Sequence, residues 1–326
     1  MSGFLAYKFP GSEKVVKSGK WEKTSMQELP EDHFFLTDFS KRNCYSFFPS
    51  NASTDMDKQT LFYNTMNDVF VANRNAYLNG LDVFIHEFEP RGIEKAVFSR
   101  INAVNRNGND DPYELFENFA EKYGDEALVY LASDSKFGTW MGATPETLLH
   151  GGKLGIRSMA LAGTKEDEET PWTDKEYHEQ KLVADYVEEI IGSQSPDKFE
   201  KSEVETVKNG SVYHLRTNYS FEMPPYKWNG LIDALHPTPA VCGTPRELAY
   251  ELIQTFEPHD RNFYTGLVGI KGLTNLEVFV NLRCMQVLDD HYALYVGGGI
   301  TKDSDLASEW HETEIKSQTL LSVIEG

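Results

Sequence analysis

Residues Glu309, Glu312 and Lys316 are spaced at offsets 0, 3 and 7 near the end of the chain. On a helix those offsets put two carboxylates and an ammonium on one face. Two carboxylates on one face suit a hard divalent cation such as Mg2+. Just upstream stand three consecutive glycines, Gly297, Gly298 and Gly299, after an apolar stretch read as a strand over Ala293–Val296. A glycine run at a strand end lets bare backbone N–H groups approach an anion. A metal, a lysine and free N–H groups together describe a site for a small molecule bearing a carboxylate or a phosphate. Taken alone, Glu-x-x-Glu-x-x-x-Lys reads first as a salt-bridged, solvated helix face.

The elements that must position these groups can be read from the pattern. Residues 1–80 are polar, aromatic-rich and weakly patterned, with a helix expected near Gln59–Tyr77, and a strand is expected over Leu81–Glu89. Further strands are expected at Ala96–Arg100, Ala127–Leu131, Gly155–Ala162, Val212–Ser220, Tyr264–Lys271, Glu277–Leu288 and His291–Val296, with helices at Tyr113–Tyr123, Pro171–Ile191 and Arg246–Phe256. In the second of these helices Thr173 and Glu176 form a capping-box pattern. Strands run consecutively instead of alternating with helices, which predicts an α+β fold with mainly antiparallel sheets. No Pro/Gly/Ser linker divides the chain, so residues 1–326 are read as a single domain, with 1–90 as a shortened N-terminal part and 91–326 as the core.

Of the 326 residues, 40% are hydrophobic and 25% charged, as in globular proteins with a sizeable core. The formal charge of -20 argues against nucleic-acid binding, which needs clustered Lys and Arg. Cys44, Cys242 and Cys284 lack metal-ligand spacing and read as reduced thiols. No signal-peptide pattern opens the sequence, and no run approaches the roughly 18 apolar residues of a membrane span. A cytoplasmic location is therefore expected.

Eight ordered blocks between Glu94 and Ile324 carry a resemblance: EKAVFSR (94–100), GATPETLL (142–149), MALAGT (159–164), HLRTNYSF (214–221), LHPTPAVCGTPRELA (235–249), DRNFYTGLVG (260–269), VNLRCMQ (280–286) and GGGITKDSDLASEWHETEIK (297–316). The chain resembles the chorismate-utilising enzymes, which include isochorismate, salicylate, anthranilate and aminodeoxychorismate synthases. The resemblance implies two stacked antiparallel sheets flanked by helices, with chorismate and Mg2+ between them. It resembles the water-using branch, with a lysine at Lys95 and no threonine at Ala240, so no glutamine amidotransferase subunit is expected and a monomer is the simplest assembly. The implied reaction is the isochorismate synthase isomerisation, serving menaquinone or siderophore synthesis, with salicylate synthase, which goes on to eliminate pyruvate, as the alternative.

The resemblance also assigns roles. Lys95 is the implied general base towards water and Glu146 the general acid towards the departing hydroxyl. By itself Glu146, after Pro145, reads as a helix cap. Glu176, Glu179, Glu309 and Glu312 are the implied Mg2+ set. Arg283 and Tyr264 would bind one substrate carboxylate, and Lys316 with Gly297–Gly299 the other. Gly163 and Thr164 would approach the ring, with Ala240, Thr217 and His236 as pocket wall and support. One departure is Lys165 followed by the acidic run Glu166–Glu169, where family members often carry arginines.

Overall fold

The structure, a computed structural model, describes residues 3–50, 61–66, 69–107, 110–152, 154–209 and 212–326. Among them every pairing between strands is antiparallel, and the pairings run as one ribbon. It starts at Gly243–Thr244 and passes through Lys95–Asn105, His291–Ile300, Cys284–Val287, Gly138–Thr144 and Leu128–Asp134. The N-terminal strands Gly3–Lys8, Val15–Thr24, Cys44–Pro49 and His33–Thr37 then carry it across. The ribbon continues through Leu267–Lys271, Asn275–Val280, Thr147–Gly152, Gly155–Lys165 and Val212–Glu222, whose far edge takes Asp197–Lys201 and Glu205–Asn209.

The two halves of this ribbon stack face to face. One buried cluster holds Ile101, Tyr130, Trp140 and Tyr295 from the first half together with Phe34, Leu36, Val268 and Phe279 from the second. The strand Leu128–Asp134 explains how. Tyr130 and Ala132 point into this inner core, while Val129 and Leu131 point the other way into a layer of helices. With both faces covered, alternation between apolar and polar disappears and the segment reads as a continuous apolar run.

Seven α-helices complete the layers among the described residues: α1 Arg74–His86, α2 Phe88–Arg91, α3 Pro112–Tyr123, α4 Asp174–Ser193, α5 Trp228–Leu235, α6 Arg246–Phe256 and α7 Leu306–Ile324. Helices α3 and α7 cover the outer face of the first half through Leu115, Phe116, Phe119, Leu320 and Val323. Helices α4 and α5 cover the second half through Val183, Val187, Ile191, Leu231 and Leu235. Helices α1 and α6 pack together beside the strand that begins at Lys95. The fold is thus α+β, with two antiparallel layers between two helical ones. None of the helices among the described residues is long and apolar enough to cross a membrane.

Several elements differ from the sequence reading. Leu81–Glu89 is helical, not a strand, because Tyr77, Leu81, Phe84 and Phe88 recur at helical spacing and are all buried. Asn73 caps α1 by accepting from the Ala76 N–H at 2.9 Å, so that helix starts later than expected. Gln59 and Thr60 of the expected earlier helix lie outside the described residues. The strand expected over Glu277–Leu288 is two strands with a break at residues 281–283, and the one expected from Tyr264 begins only at Leu267. The glycines Gly297–Gly299 lie inside the strand His291–Ile300, paired with Ser99, Phe98 and Val97, and do not follow its end. The capping box of α4 is present as read.

Trp21 is fully buried on the N-terminal strands that join the two halves. Trp21→Ala should cost about 3–5 kcal/mol. Urea unfolding would show it as a lowered midpoint with an unchanged slope.

Candidate active site

The break between the two strands at residues 281–283, the start of the strand at Lys95 and the glycine edge of the strand at Tyr295 line one cavity. Its wall includes Lys95, Glu146, Gly163, Thr164, Glu179, Ala240, Tyr264, Arg283, Gly297, Gly298, Gly299, Glu312 and Lys316. Most residues singled out from the sequence are therefore brought together.

Lys95 is the first residue of its strand and is 1% exposed. Its Nζ lies 2.8 Å from Glu179 Oε1, a carboxylate on α4. An ammonium stripped of water to this degree needs such a partner. The glycines make room for the pair. A Cβ on Gly299 would stand 2.3 Å from Glu179 Oε1 and 2.7 Å from Lys95 Cε, and one on Gly297 would stand 3.0 Å from the Tyr264 hydroxyl. The run is thus required for close passage of side chains, and the Gly297 carbonyl accepts a hydrogen bond from Lys316 Nζ at 3.0 Å.

Glu146 follows Pro145, but the next element is the strand Thr147–Gly152, so Glu146 caps no helix. Its carboxyl group is buried, and burial pushes its pKa up to about 7 against the opposing pull of Arg283, Lys95 and Lys316. Arg283 sits in the strand break with a φ of 47°. This left-handed backbone turns its side chain out of the sheet pattern. Among the described residues its guanidinium has no hydrogen-bond or ion-pair partner, although it is buried enough to lower its pKa. An unpaired fork of donors in a cavity is suited to a carboxylate. Tyr264 stands beside it, stacked on Tyr295 at 5.7 Å.

The floor is fixed by a buried pair, Glu257 and Arg261, each 2% exposed. Glu257 Oε1 accepts from the Ser99 N–H at 2.7 Å, and Arg261 donates to the carbonyls of Val97 and Val241 at 3.0 and 2.8 Å. Val97 and Val241 are themselves cavity wall.

His214 was not singled out as a site residue, although it lies in the wall. Its Nδ1–H donates to the Gly163 carbonyl at 2.6 Å, and burial pushes its pKa down to about 3, which keeps the ring neutral. The only sequence signal was its place in the HLRTNYSF block. Gly163 has a φ of +72°, and a Cβ there would meet Glu176 Cβ at 3.1 Å. Two other residues lie elsewhere. Thr217 accepts from Gln180 Nε2 at 2.9 Å and helps seat α4 on its sheet. His236 ends α5, packs edge-on against Phe39, and lies outside the cavity.

The acidic set divides. Glu176 is turned away, accepting from the Thr173 N–H at 2.9 Å in the cap of α4. Glu179, Glu309 and Glu312 remain along the glycine edge. A Cβ on Gly298 would lie 3.2 Å from Glu312 Oε1 and 3.3 Å from Glu309 Oε2. Among the described residues no three such side chains form a ready ligand set, because each carboxylate leans on a lysine: Glu179 on Lys95, Glu312 on Lys316 at 2.6 Å, and Glu309 on Lys175 at 3.4 Å. Glu309 is nevertheless 3% exposed, and its Oε2 accepts no hydrogen bond. Burial and then Glu312 raise its pKa. A buried oxygen without a donor, beside two further carboxylates, fits a hard cation that needs only one or two protein ligands.

The twin-sheet sandwich thus brings together in one cavity a lysine, a carboxyl group that holds its proton and an arginine without a partner among the described residues. The chain belongs to the chorismate binding enzyme family, whose model matches residues 42–325. It is 33% identical over 197 residues to isochorismate synthase DhbC of Bacillus subtilis, covering 56% of this chain and 50% of the relative. It is 30% identical over 261 residues to the vibriobactin-specific isochorismate synthase of Vibrio cholerae, covering 76% and 66%. The chain spans about half the length of curated relatives such as the first. Among solved structures, a putative 2,3-dihydroxybenzoate-specific isochorismate synthase from Bacillus anthracis superposes with a TM-score of 0.83 at 24% identity, covering 99% of this chain and 96% of the other. Anthranilate synthase component I from Streptococcus pneumoniae superposes at 0.70 with 14% identity, covering 97% and 89%.

Because the folded chain keeps a proton on Glu146 up to about pH 7, ionising it at higher pH works against folding. Glu146→Gln, which never ionises, should raise the melting temperature above pH 7 and change it little well below the ordinary carboxylate range. Calorimetry across pH would read the crossover. Gly299→Ala should keep the circular dichroism of the fold and lose turnover, since its Cβ collides with the Lys95–Glu179 pair.

Proposed function

We propose that the chain is an isochorismate synthase, converting chorismate to isochorismate with Mg2+ as cofactor. The observation that carries this reading is the pairing of Lys95 with Glu146 in one cavity, the carboxyl group held at a pKa of about 7. In the reaction, Glu179 takes the proton of the Lys95 ammonium beside it, and the neutral amine so formed takes a proton from a water whose oxygen bonds to C2 of the ring. The two conjugated ring double bonds both shift by one position and the C4–oxygen bond breaks. Glu146 delivers its proton to that oxygen, which leaves as water. One water enters and one departs, so substrate and product are isomers. Hydroxide is a poor leaving group, and a carboxyl group that is still protonated near neutrality removes that obstacle.

The rest of the cavity orients the substrate. Arg283 and Tyr264 hold the enolpyruvyl carboxylate, with the fork of Arg283 supplying two parallel donors. Lys316 serves the ring carboxylate, and Gly163 and Thr164 bring backbone close to the C4 oxygen. Neutral His214 fixes the Gly163 carbonyl. Glu179, Glu312 and Glu309 would hold Mg2+, which when bound supplies positive charge to the ring carboxylate. The reading places the chain in the cytoplasm as a one-domain monomer without a glutamine amidotransferase subunit, at the entry to menaquinone or catechol-siderophore synthesis.

Purified chain incubated with chorismate and Mg2+ should give isochorismate by chromatography, and EDTA should abolish it. Salicylate with pyruvate would move the chain to salicylate synthase, and intact chorismate would refute the proposal. Lys95→Ala and Glu146→Gln should each lower kcat by about 10²–10⁴-fold. An acid must hold its proton to act, so kcat/KM should fall as pH rises through about 7. That limb should be missing from the residual activity of Glu146→Gln.

A further inference from the structure

The three Glu–Lys pairs along the glycine edge are not equivalent. Lys95 and Lys316 stand in the cavity wall with side chains 1% and 12% exposed, and meet Glu179 and Glu312 at 2.8 and 2.6 Å. Lys175 stands outside that wall on the first turn of α4. Its side chain is 45% exposed, and it meets Glu309 at 3.4 Å through Oε1 alone. Glu309 is the most buried of the three carboxylates, and its second oxygen, Oε2, accepts no hydrogen bond. A long contact to a half-exposed lysine leaves that oxygen unsatisfied, which is costly in a buried setting. An ion able to reach both oxygens would satisfy it.

We propose that Lys175 is a built-in counter-ion that occupies Glu309 in the metal-free protein and competes with the divalent ion for it, and so sets how tightly the site takes metal. This rests on the reading of Glu179, Glu309 and Glu312 as the metal set. A lysine ammonium is a compact point charge on a flexible stem. Half-exposed and at the start of a helix, it can swing into solvent when an ion arrives. The metal must displace it and then tolerate its repulsion across a short distance, and both effects weaken binding. Removing the charge removes both.

Mn2+ titrated into the whole chain without chorismate, with free Mn2+ read by electron paramagnetic resonance, tests this apart from catalysis. Lys175→Met should bind Mn2+ about tenfold more tightly than the native chain, equivalent to about 1.4 kcal/mol. Lys175→Arg keeps the charge and should bind as the native chain does. In a Glu309→Gln background, where the competition is gone and only the repulsion is left, Lys175→Met should gain less than it does in the native chain. Unchanged or weaker Mn2+ affinity in Lys175→Met would overturn the role of Lys175. If the native chain still binds Mn2+ and turns over chorismate in that case, the proposed function stands and only this inference falls. Absence of Mn2+ binding in both the native chain and Lys175→Met would overturn the inference together with the metal reading.

Discussion

The contact between Lys95 and Glu179 is the constraint around which the site is built. The ammonium sits on a strand of one half of the sandwich, and the carboxylate comes from α4, which covers the other half. A charge this deeply buried cannot be left alone, so the two halves must meet at a fixed separation there. That requirement explains Gly299, over which both side chains pass at distances that exclude a Cβ. It also explains why α4 is capped so firmly at Thr173, because a frayed first turn would carry Glu179 away. The Glu257–Arg261 pair does the same for the opposite wall, tying Val97, Ser99 and Val241 into one unit.

For a protein of charge -20 to take up an anion, its positive charge must be local. The cavity supplies it in three forms. Arg283 has no partner among the described residues, Lys316 is shared between Glu312 and the Gly297 carbonyl, and Lys95 is shared with Glu179. Burial then acts in opposite directions on acid and base groups, keeping Glu146 protonated and His214 uncharged. Burial in one enclosure thereby sets both protonation states, against the pull of Arg283, Lys95 and Lys316 on Glu146 and of the Gly163 hydrogen bond on His214.

Much of this could be read from the residues, and the failures have physical reasons. Helix α6 was read with its observed limits because its buried positions Ala249, Leu252 and Ile253 keep helical spacing to the end. Leu81–Glu89 misled because Leu81, Val83 and Ile85 alternate like a strand, while burial follows Tyr77, Leu81, Phe84 and Phe88 instead. The strand break that aims Arg283 carries no glycine or proline, and its positive φ at an arginine leaves no mark in the pattern. The glycine run was read as giving backbone access to an anion, and the structure adds that side chains pass close over it; both ask for a missing Cβ. Glu176 was placed with the metal set by the resemblance, whereas the same residue had already been read as half of a capping box. A single carboxylate serves one of those ends, and the cap takes it. His214 and the departure of His236 and Thr217 from the cavity depend on which face of a strand or helix end turns inward, which spacing alone leaves open.

The continuous antiparallel ribbon has a consequence for how the chain acquires its shape. Its neighbours in space are remote in sequence: Gly3–Lys8 lies against Leu128–Asp134, His33–Thr37 against Leu267–Lys271, and Lys95–Asn105 against His291–Ile300. Each such junction closes a loop of more than a hundred residues before any contact rewards it, and long-range pairings of this kind fold slowly. During synthesis the first four strands emerge long before the partners that complete the second layer, so their unpaired edges must wait in the open. The sandwich, and the cavity within it, comes into being only when the last strand and α7 arrive together. Slow folding is the expected cost of lining a cavity with strands as far apart in sequence as Lys95–Asn105 and His291–Ile300.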